Sequence, residues 1–166
     1  MVLVVAIFDS LSSIFKSRSS ILDPRSSIRY WLPPLLWMAA IFFFSTDNFS
    51  GEKTGGLLFR LFHALIPGLT PAGFKPWHFL IRKAAHFTEY ALLALLLFRA
   101  FRAGAVVRWR RRWALQALWV VVAYALLDEY HQTRTANRVG SIYDSLVDVA
   151  GGVAALATLW WKRRGQ

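Results

Sequence analysis

Long hydrophobic runs separated by short polar stretches are the main feature of this sequence. Four runs reach membrane-spanning length: residues 28–46, 84–101, 113–131 and 142–161. With a rise of about 1.5 Å per residue, a helix of this length covers most or all of a hydrocarbon core about 30 Å thick. The pattern therefore predicts an all-α, polytopic membrane protein: a four-transmembrane-helix bundle within residues 28–166.

The first residues predict a short amphipathic helix at the membrane surface. Residues 2–15 are largely apolar but too short to cross a bilayer, and no Lys or Arg precedes them as in a signal peptide. We expect them to lie on the membrane or against the bundle. The polar stretch 17–27 is predicted to be a linker. Residues 1–27 are thus expected to form an N-terminal cytoplasmic or interfacial segment.

The predicted outer loop, residues 47–83, is long for so small a protein. Between Leu57 and Ile66 its apolar residues recur at helical spacing, which predicts a second interfacial amphipathic helix. The remainder of the loop, from Gly68 through Pro76, contains repeated Gly and Pro, and we expect it to be irregular.

The distribution of charge predicts the direction in which the helices cross. The formal net charge is +11, and basic residues cluster before the first run, between the second and third, and after the fourth. Since an even number of crossings puts these clusters on one side, the positive-inside rule makes that side cytoplasmic. Both termini are then expected in the cytoplasm, with the protein in a bacterial inner membrane. Most acidic residues fall toward the outer half: Asp47, Glu52, Glu89, Asp128, Glu129, Asp144 and Asp148.

Composition argues against several functional classes. The chain has no cysteine, which rules out disulfides, thiolate metal sites and cysteine nucleophiles. Its basic residues lie in short runs between apolar segments and form no nucleic-acid-binding motif, so no nucleic-acid partner is expected. No Walker loop, zinc signature or nucleophile motif is present, and no cofactor is expected.

Polar residues form stripes at the outer ends of three predicted helices. They recur at spacings of three or four residues, so each stripe lies on one helix face. A charged residue facing lipid at mid-span costs roughly 2.5–3.5 kcal/mol, so these residues must face one another or a wet cavity. They form a candidate functional cluster, although interhelical hydrogen bonding is an equally good explanation for any single member. The cluster comprises Arg82, Lys83, His86, Glu89, Tyr90, Asp128, Glu129, Gln132, Arg138, Ser141, Asp144 and Asp148.

Three short segments carry a resemblance to a known family. Residues 82–90 (RKAAHFTEY), 128–132 (DEYHQ) and 138–144 (RVGSIYD), with Gly151 in the last helix, resemble the VanZ-like family. The resemblance covers roughly residues 32–160, and Asp148 departs from it because Asn is more frequent there in the family.

The resemblance implies an integral membrane protein in a family whose founding member is associated with teicoplanin resistance. It singles out eight members of the cluster: Lys83, His86, Tyr90, Asp128, Glu129, Gln132, Arg138 and Asp144.

Three functions remain open for this cluster. The first is an outer-facing cavity that binds the headgroup of a membrane lipid or of a lipid-linked cell-envelope precursor, with arginines pairing with the phosphate of that headgroup. Teicoplanin itself is another candidate ligand of this cavity. The second is a membrane enzyme in which His86 or Glu89 acts as acid or base on such a headgroup. The third is an ion or proton pathway through His86 and three aspartates, or a divalent-cation site at these aspartates, Asp128, Asp144 and Asp148. We also expect Arg138 to pair with Asp144 or Asp128.

Overall fold

The computed structural model describes residues 24–46, 51–107, 109–134 and 142–164. All regular structure within these ranges is helical. In chain order the helices are α1 (Pro24–Phe44), α2 (Gly51–Leu65), α3 (Pro71–Arg102), α4 (Arg111–Gln132) and α5 (Ile142–Arg164).

The core lies between α3, α4 and α5, and the contact between α3 and α5 is the most extensive. On α4 the buried apolar residues recur every four positions, which gives the helix one inward face. The same helical spacing applies on α3, where Leu93, Leu97 and Phe98 are buried. The contiguous buried cluster that forms this core comprises Ile41, Tyr90, Leu93, Ala94, Leu97, Phe98, Trp113, Ala117, Val121, Ala125 and Leu156.

Two hydrogen bonds attach α1 to this core. The Trp37 indole donates to the backbone carbonyl of Glu89 over 2.9 Å, and the Tyr124 hydroxyl donates to the carbonyl of Met38 over 2.6 Å. Because each bond joins a side chain to the backbone of another helix, together they fix the position of α1 against both α3 and α4.

A glycine permits the close approach of α3 and α5. A Cβ atom added at Gly151 would overlap the backbone carbonyl of Phe87 on α3. Only a residue without a side chain allows the two backbones to come so near, as is common where helices pack tightly in membranes.

The expectation of an irregular chain from Gly68 through Pro76 was wrong from Pro71 onward, because α3 begins there and runs without a break to Arg102. Proline is tolerated in the first turn of a helix, and the Thr70 hydroxyl caps that turn by accepting a hydrogen bond from the amide of Gly73 at 3.1 Å. Phe74 is buried against Phe59 and Phe62 of α2. Capping and aromatic packing together outweigh the cost of Gly73 and of Pro76.

Three further expectations concern the loop helix, the linker before α1 and the N-terminal segment. A helix is present where the second amphipathic helix was predicted, as α2, and its position at a membrane surface remains a prediction. The predicted linker 17–27 is too long at its end, since α1 is already helical from Pro24. Residues 2–15 lie outside the described residues.

By length and hydropathy, α3 qualifies as a membrane span among the described helices, and Ile28–Phe44 of α1 is a shorter apolar stretch. The predicted all-α class is confirmed by the helices themselves. The crossing of a membrane by four helices remains a prediction.

Candidate functional site

The site lies at one end of the bundle, which we call the polar end. It is formed by residues 82–90 of α3, 128–132 of α4 and 144–148 of α5. Because α4 runs antiparallel to its neighbours, the C-terminal part of α4 meets the N-terminal part of α5 and the first half of α3. This arrangement brings stripes from three separate sequence segments together.

A histidine and an aspartate form the innermost contact of the polar end. The distance between His86 Nδ1 and Asp148 Oδ1 is 3.1 Å, and the Asp148 side chain is completely buried. The second carboxylate oxygen of Asp148 is buried without a hydrogen-bond partner among the described residues. A buried carboxylate is costly unless it is paired, so His86 is the main compensation that the described part of the chain provides.

An ion pair closes the rim of the polar end. The Lys83 ammonium contacts the Asp144 carboxylate, and both side chains are partly exposed. This pair joins α3 to α5 one turn away from His86 and Asp148. The predicted alternative partner of Asp144, Arg138, lies outside the described residues.

The α4 part of the polar end is acidic and buried. Asp128, Glu129 and Gln132 are all shielded from solvent, and the Gln132 amide donates to Asp128 Oδ2 over 3.1 Å. The other oxygen of Asp128, the Tyr90 hydroxyl and the Ser145 hydroxyl are buried without hydrogen-bond partners among the described residues. Buried polar atoms require such partners, so this interior suits water or a polar ligand.

A groove of about 280 Å³ opens beside these residues, between α1, α2 and α3. Its ionisable lining consists of Arg82, His86 and Glu89, which face a largely apolar wall. The full lining is Phe44, Ser45, Thr54, Leu58, Ile81, Arg82, Ala85, His86 and Glu89. His86 therefore connects the groove to the buried Asp148.

The structure divides the predicted α3 stripe into two parts. Arg82, His86 and Glu89 line the groove, whereas Tyr90 is fully buried with its ring 6.3 Å from that of Tyr124. Lys83 turns instead toward α5. The candidates Arg138 and Ser141 lie outside the described residues.

The cluster predicted from the sequence did not include three polar residues that lie at the polar end or line its groove. Ser145 is 4% exposed and Ser45 is 3% exposed, while Thr54 of α2 lines the groove. Ser145 precedes Asp148 by three residues, and this helical spacing indicates a shared face. Ser45 is the last residue but one of the first hydrophobic run, 28–46, whereas nothing in the sequence points to Thr54.

The described residues contain no group of three His, Cys, Asp or Glu side chains arranged to hold a metal ion. Asp128, Asp144 and Asp148 therefore do not form a joint ligand set in this arrangement. Asp144 contacts Lys83 and Asp148 contacts His86, so these two acids have separate basic partners.

Comparison of the sequence with known protein families gives a match. Residues 30–163 match the VanZ/LLP1 family, and this range extends from within α1 almost to the end of α5. The chain belongs to the VanZ/LLP1 family. This confirms the resemblance seen in the sequence, and VanZ-like proteins are in general membrane-associated and linked with teicoplanin resistance. Comparisons with curated proteins and with solved structures give no match.

Proposed function

We propose that this VanZ-like protein crosses the inner membrane four times and binds the anionic headgroup of a lipid, or of a lipid-linked cell-envelope precursor, at its polar end. The four crossings are α1, α3, α4 and α5. The polar end faces outward and both termini are cytoplasmic. The observation that carries the proposal is the groove in which Arg82 and His86 lie against apolar walls.

The outward faces of the helices support insertion in a membrane. Large apolar side chains are exposed along α4 and α5, including Leu115, Trp119, Leu127, Leu146 and Trp161. Soluble monomers rarely leave such extended apolar surfaces uncovered, whereas a bilayer covers them. Three of the carboxylates that lower the mean hydropathy of α4 and α5, those of Asp128, Glu129 and Asp148, are buried in the bundle. Mean hydropathy alone therefore underestimates how well these two helices suit a membrane.

The lining of the groove supports an amphiphilic ligand. The Arg82 guanidinium offers planar paired donors that match phosphate oxygens. Phe44, Leu58 and Ile81 provide an apolar wall for an adjoining hydrocarbon chain. Glu89 and Ser45 add hydrogen-bonding oxygens suited to sugar or glycerol hydroxyls.

A pair of matched ligands tests this proposal. The purified full chain in detergent should bind a polyprenyl phosphate more tightly than the corresponding uncharged polyprenol. Arg82→Lys should weaken binding of the phosphate by about tenfold, because losing a charge-assisted hydrogen bond costs roughly 1.5 kcal/mol. The control is Arg60→Lys on the exposed face of α2. Equal binding of the two ligands, or an equal effect of both substitutions, would refute the proposal.

A cellular measurement separates ligand binding from a purely structural role. Teicoplanin sensitivity should be plotted against the amount of folded protein in the membrane for Arg82→Lys, Gln132→Glu and Arg60→Lys. Variants that are folded but inactive would support a binding site. If phenotype instead follows folded protein for every variant, the polar residues only hold the helices together.

One observation favours an enzyme as the second candidate function. His86 lines the groove while its Nδ1 contacts a buried carboxylate, an arrangement that orients an imidazole for acid–base chemistry. If the protein hydrolyses a phosphorylated lipid, phosphate release from a polyprenyl diphosphate should disappear in His86→Gln while binding persists. No release by the parent protein would eliminate hydrolysis of this substrate.

A further inference from the structure

The end of the bundle opposite the polar end is strongly basic, and we call it the basic end. No Asp or Glu occurs in residues 91–127 or 149–166, which contain α4 up to Asp128 and most of α5. A surface with this charge attracts anions. Among the described residues, the basic side chains at this end are Arg99, Arg102, Arg110, Arg111, Arg112, Lys162 and Arg163.

A second groove, of about 270 Å³, lies at the basic end between α4 and α5. Its walls are almost wholly apolar, and the charged residue in its lining is Arg111. Two indole rings, from Trp109 and Trp160, complete it. The full lining is Trp109, Arg111, Ala114, Leu115, Leu118, Val153, Leu156, Ala157 and Trp160.

We infer that this second groove binds an anionic phospholipid. Its phosphate lies at Arg111, with Arg110 and Arg112 adjacent, and an acyl chain lies along Leu118 and Val153. Basic residues next to spanning helices favour anionic lipids by about 1 kcal/mol each, and tryptophans are typical of the membrane interface.

The first turn of α4 adds to the attraction for phosphate at this position. Arg110 occupies the N-cap without a side-chain hydrogen bond to the helix, so it does not satisfy the first backbone amides of α4. The positive end of the helix dipole is directed to the same place as Arg111.

An amphiphile fits these features better than an acidic protein segment. The apolar wall extends from the basic rim along α4 and α5, where Leu115 and Val153 are exposed. An acidic polypeptide would match the arginines but would leave this wall uncovered, whereas an acyl chain covers it. The inference depends on the membrane location proposed above but not on any ligand at the polar end.

The test uses two phospholipids that differ only in headgroup charge. The purified full chain in detergent should bind dioleoylphosphatidylglycerol more tightly than dioleoylphosphatidylcholine, as measured by native mass spectrometry. Arg111→Gln should weaken phosphatidylglycerol binding by about fivefold, the effect of about 1 kcal/mol from one cation. Ala157→Phe should remove binding, because the new ring occupies the groove.

Two control variants make the result specific. Arg60→Gln on α2 changes net charge equally but lies far from the second groove, and it should bind both lipids like the parent. Arg82→Gln removes the cation that could hold phosphatidylglycerol at the polar end, and in this background Arg111→Gln should still weaken binding by about fivefold. No further loss from Arg111→Gln there would place this lipid at the polar end and overturn the inference. Failure of this inference thus leaves the polyprenyl phosphate experiment unaffected.

Further outcomes would overturn the inference. One is equal binding of the two phospholipids. Another is full phosphatidylglycerol binding by Arg111→Gln. Because Arg111 is exposed, this variant should fold even if Ala157→Phe does not. Absence of lipid binding together with a change in oligomeric state in Ala157→Phe, measured by light scattering, would assign the groove to contact between copies of the chain.

Discussion

The polar and basic ends are built from the same three helices, α3, α4 and α5, yet their interiors are filled by opposite chemistry. At the basic end, Phe98 stacks on Trp109 with ring centres 4.8 Å apart and contacts Trp113 edge-on. At the polar end, the equivalent interior positions carry carboxylates, an imidazole and an amide. On α4 the change occurs within one turn, between Ala125 and Asp128.

This difference indicates that the basic end contributes mainly to the stability of the fold, whereas the polar end contributes to function. Apolar packing at the basic end is stabilising in itself. Buried charges are weak contributors to stability, and apolar residues of similar volume would often serve equally well. The buried ionisable residues of the polar end therefore point to a function at that end.

The largest effect is expected at Gly151, which lies between the two ends. Gly151→Leu should abolish folding, because its Cβ alone would overlap the Phe87 carbonyl and α5 would have to move away from α3. Overpacking typically costs about 1–3 kcal/mol, and here the cost should exceed that range because the overlapping atom belongs to the backbone and cannot rotate away. The measure is the yield of monodisperse protein in detergent.

Gly56→Leu is the matched control, since a Cβ at Gly56 meets nothing within 4 Å. Its yield should equal that of the parent. Normal folding of Gly151→Leu would mean that the two ends are not held together by this contact.

The next largest effect is expected at Asp148, where a double-mutant cycle distinguishes an interaction with His86 from simple loss of packing. Asp148→Ala should reduce the free energy of unfolding by about 3 kcal/mol, because it removes one partner from a buried ionisable pair. In a double-mutant cycle with His86→Ala the two changes should be non-additive by at least about 1 kcal/mol.

Leu97→Ala at the basic end provides the comparison for that cycle. It should cost about 2–5 kcal/mol through lost burial and a cavity, and it should be additive with His86→Ala. Additivity in both cycles would contradict the contact between His86 and Asp148.

Much of the helical framework follows from the sequence because its signals are periodic. The hydrophobic runs at 28–46, 113–131 and 142–161 correspond to α1, α4 and α5. Helical spacing within the polar stripes of α4 and α5 predicts that Asp128, Asp144 and Asp148 belong to the candidate cluster. These signals depend only on the geometry of a single helix, which is the same in any fold.

What the sequence does not contain is the relation between helices. The contact between Lys83 and Asp144 was not predicted, and the predicted pairing of Arg138 with Asp144 or Asp128 lies outside the described residues. A stripe gives the face of a helix but neither the register nor the rotation of its neighbour. The extension of α3 to Pro71 was missed for a similar reason, since the burial of Phe74 by α2 is a tertiary contact that opposes local propensity.

The smallest effect is expected at the rim of the polar end, where Lys83 meets Asp144. Because both side chains are partly exposed, Lys83→Ala should reduce the free energy of unfolding by at most about 1 kcal/mol, and its coupling to Asp144→Ala should be about 0.5 kcal/mol. Lys53→Ala, at an exposed position on α2, controls for the loss of a positive charge. In about 1 M salt the coupling between Lys83 and Asp144 should fall toward zero, since exposed charges are screened, whereas that between His86 and Asp148 should persist. Equal salt sensitivity of the two couplings would mean that solvent reaches both pairs alike, and the polar end would then have no protected interior.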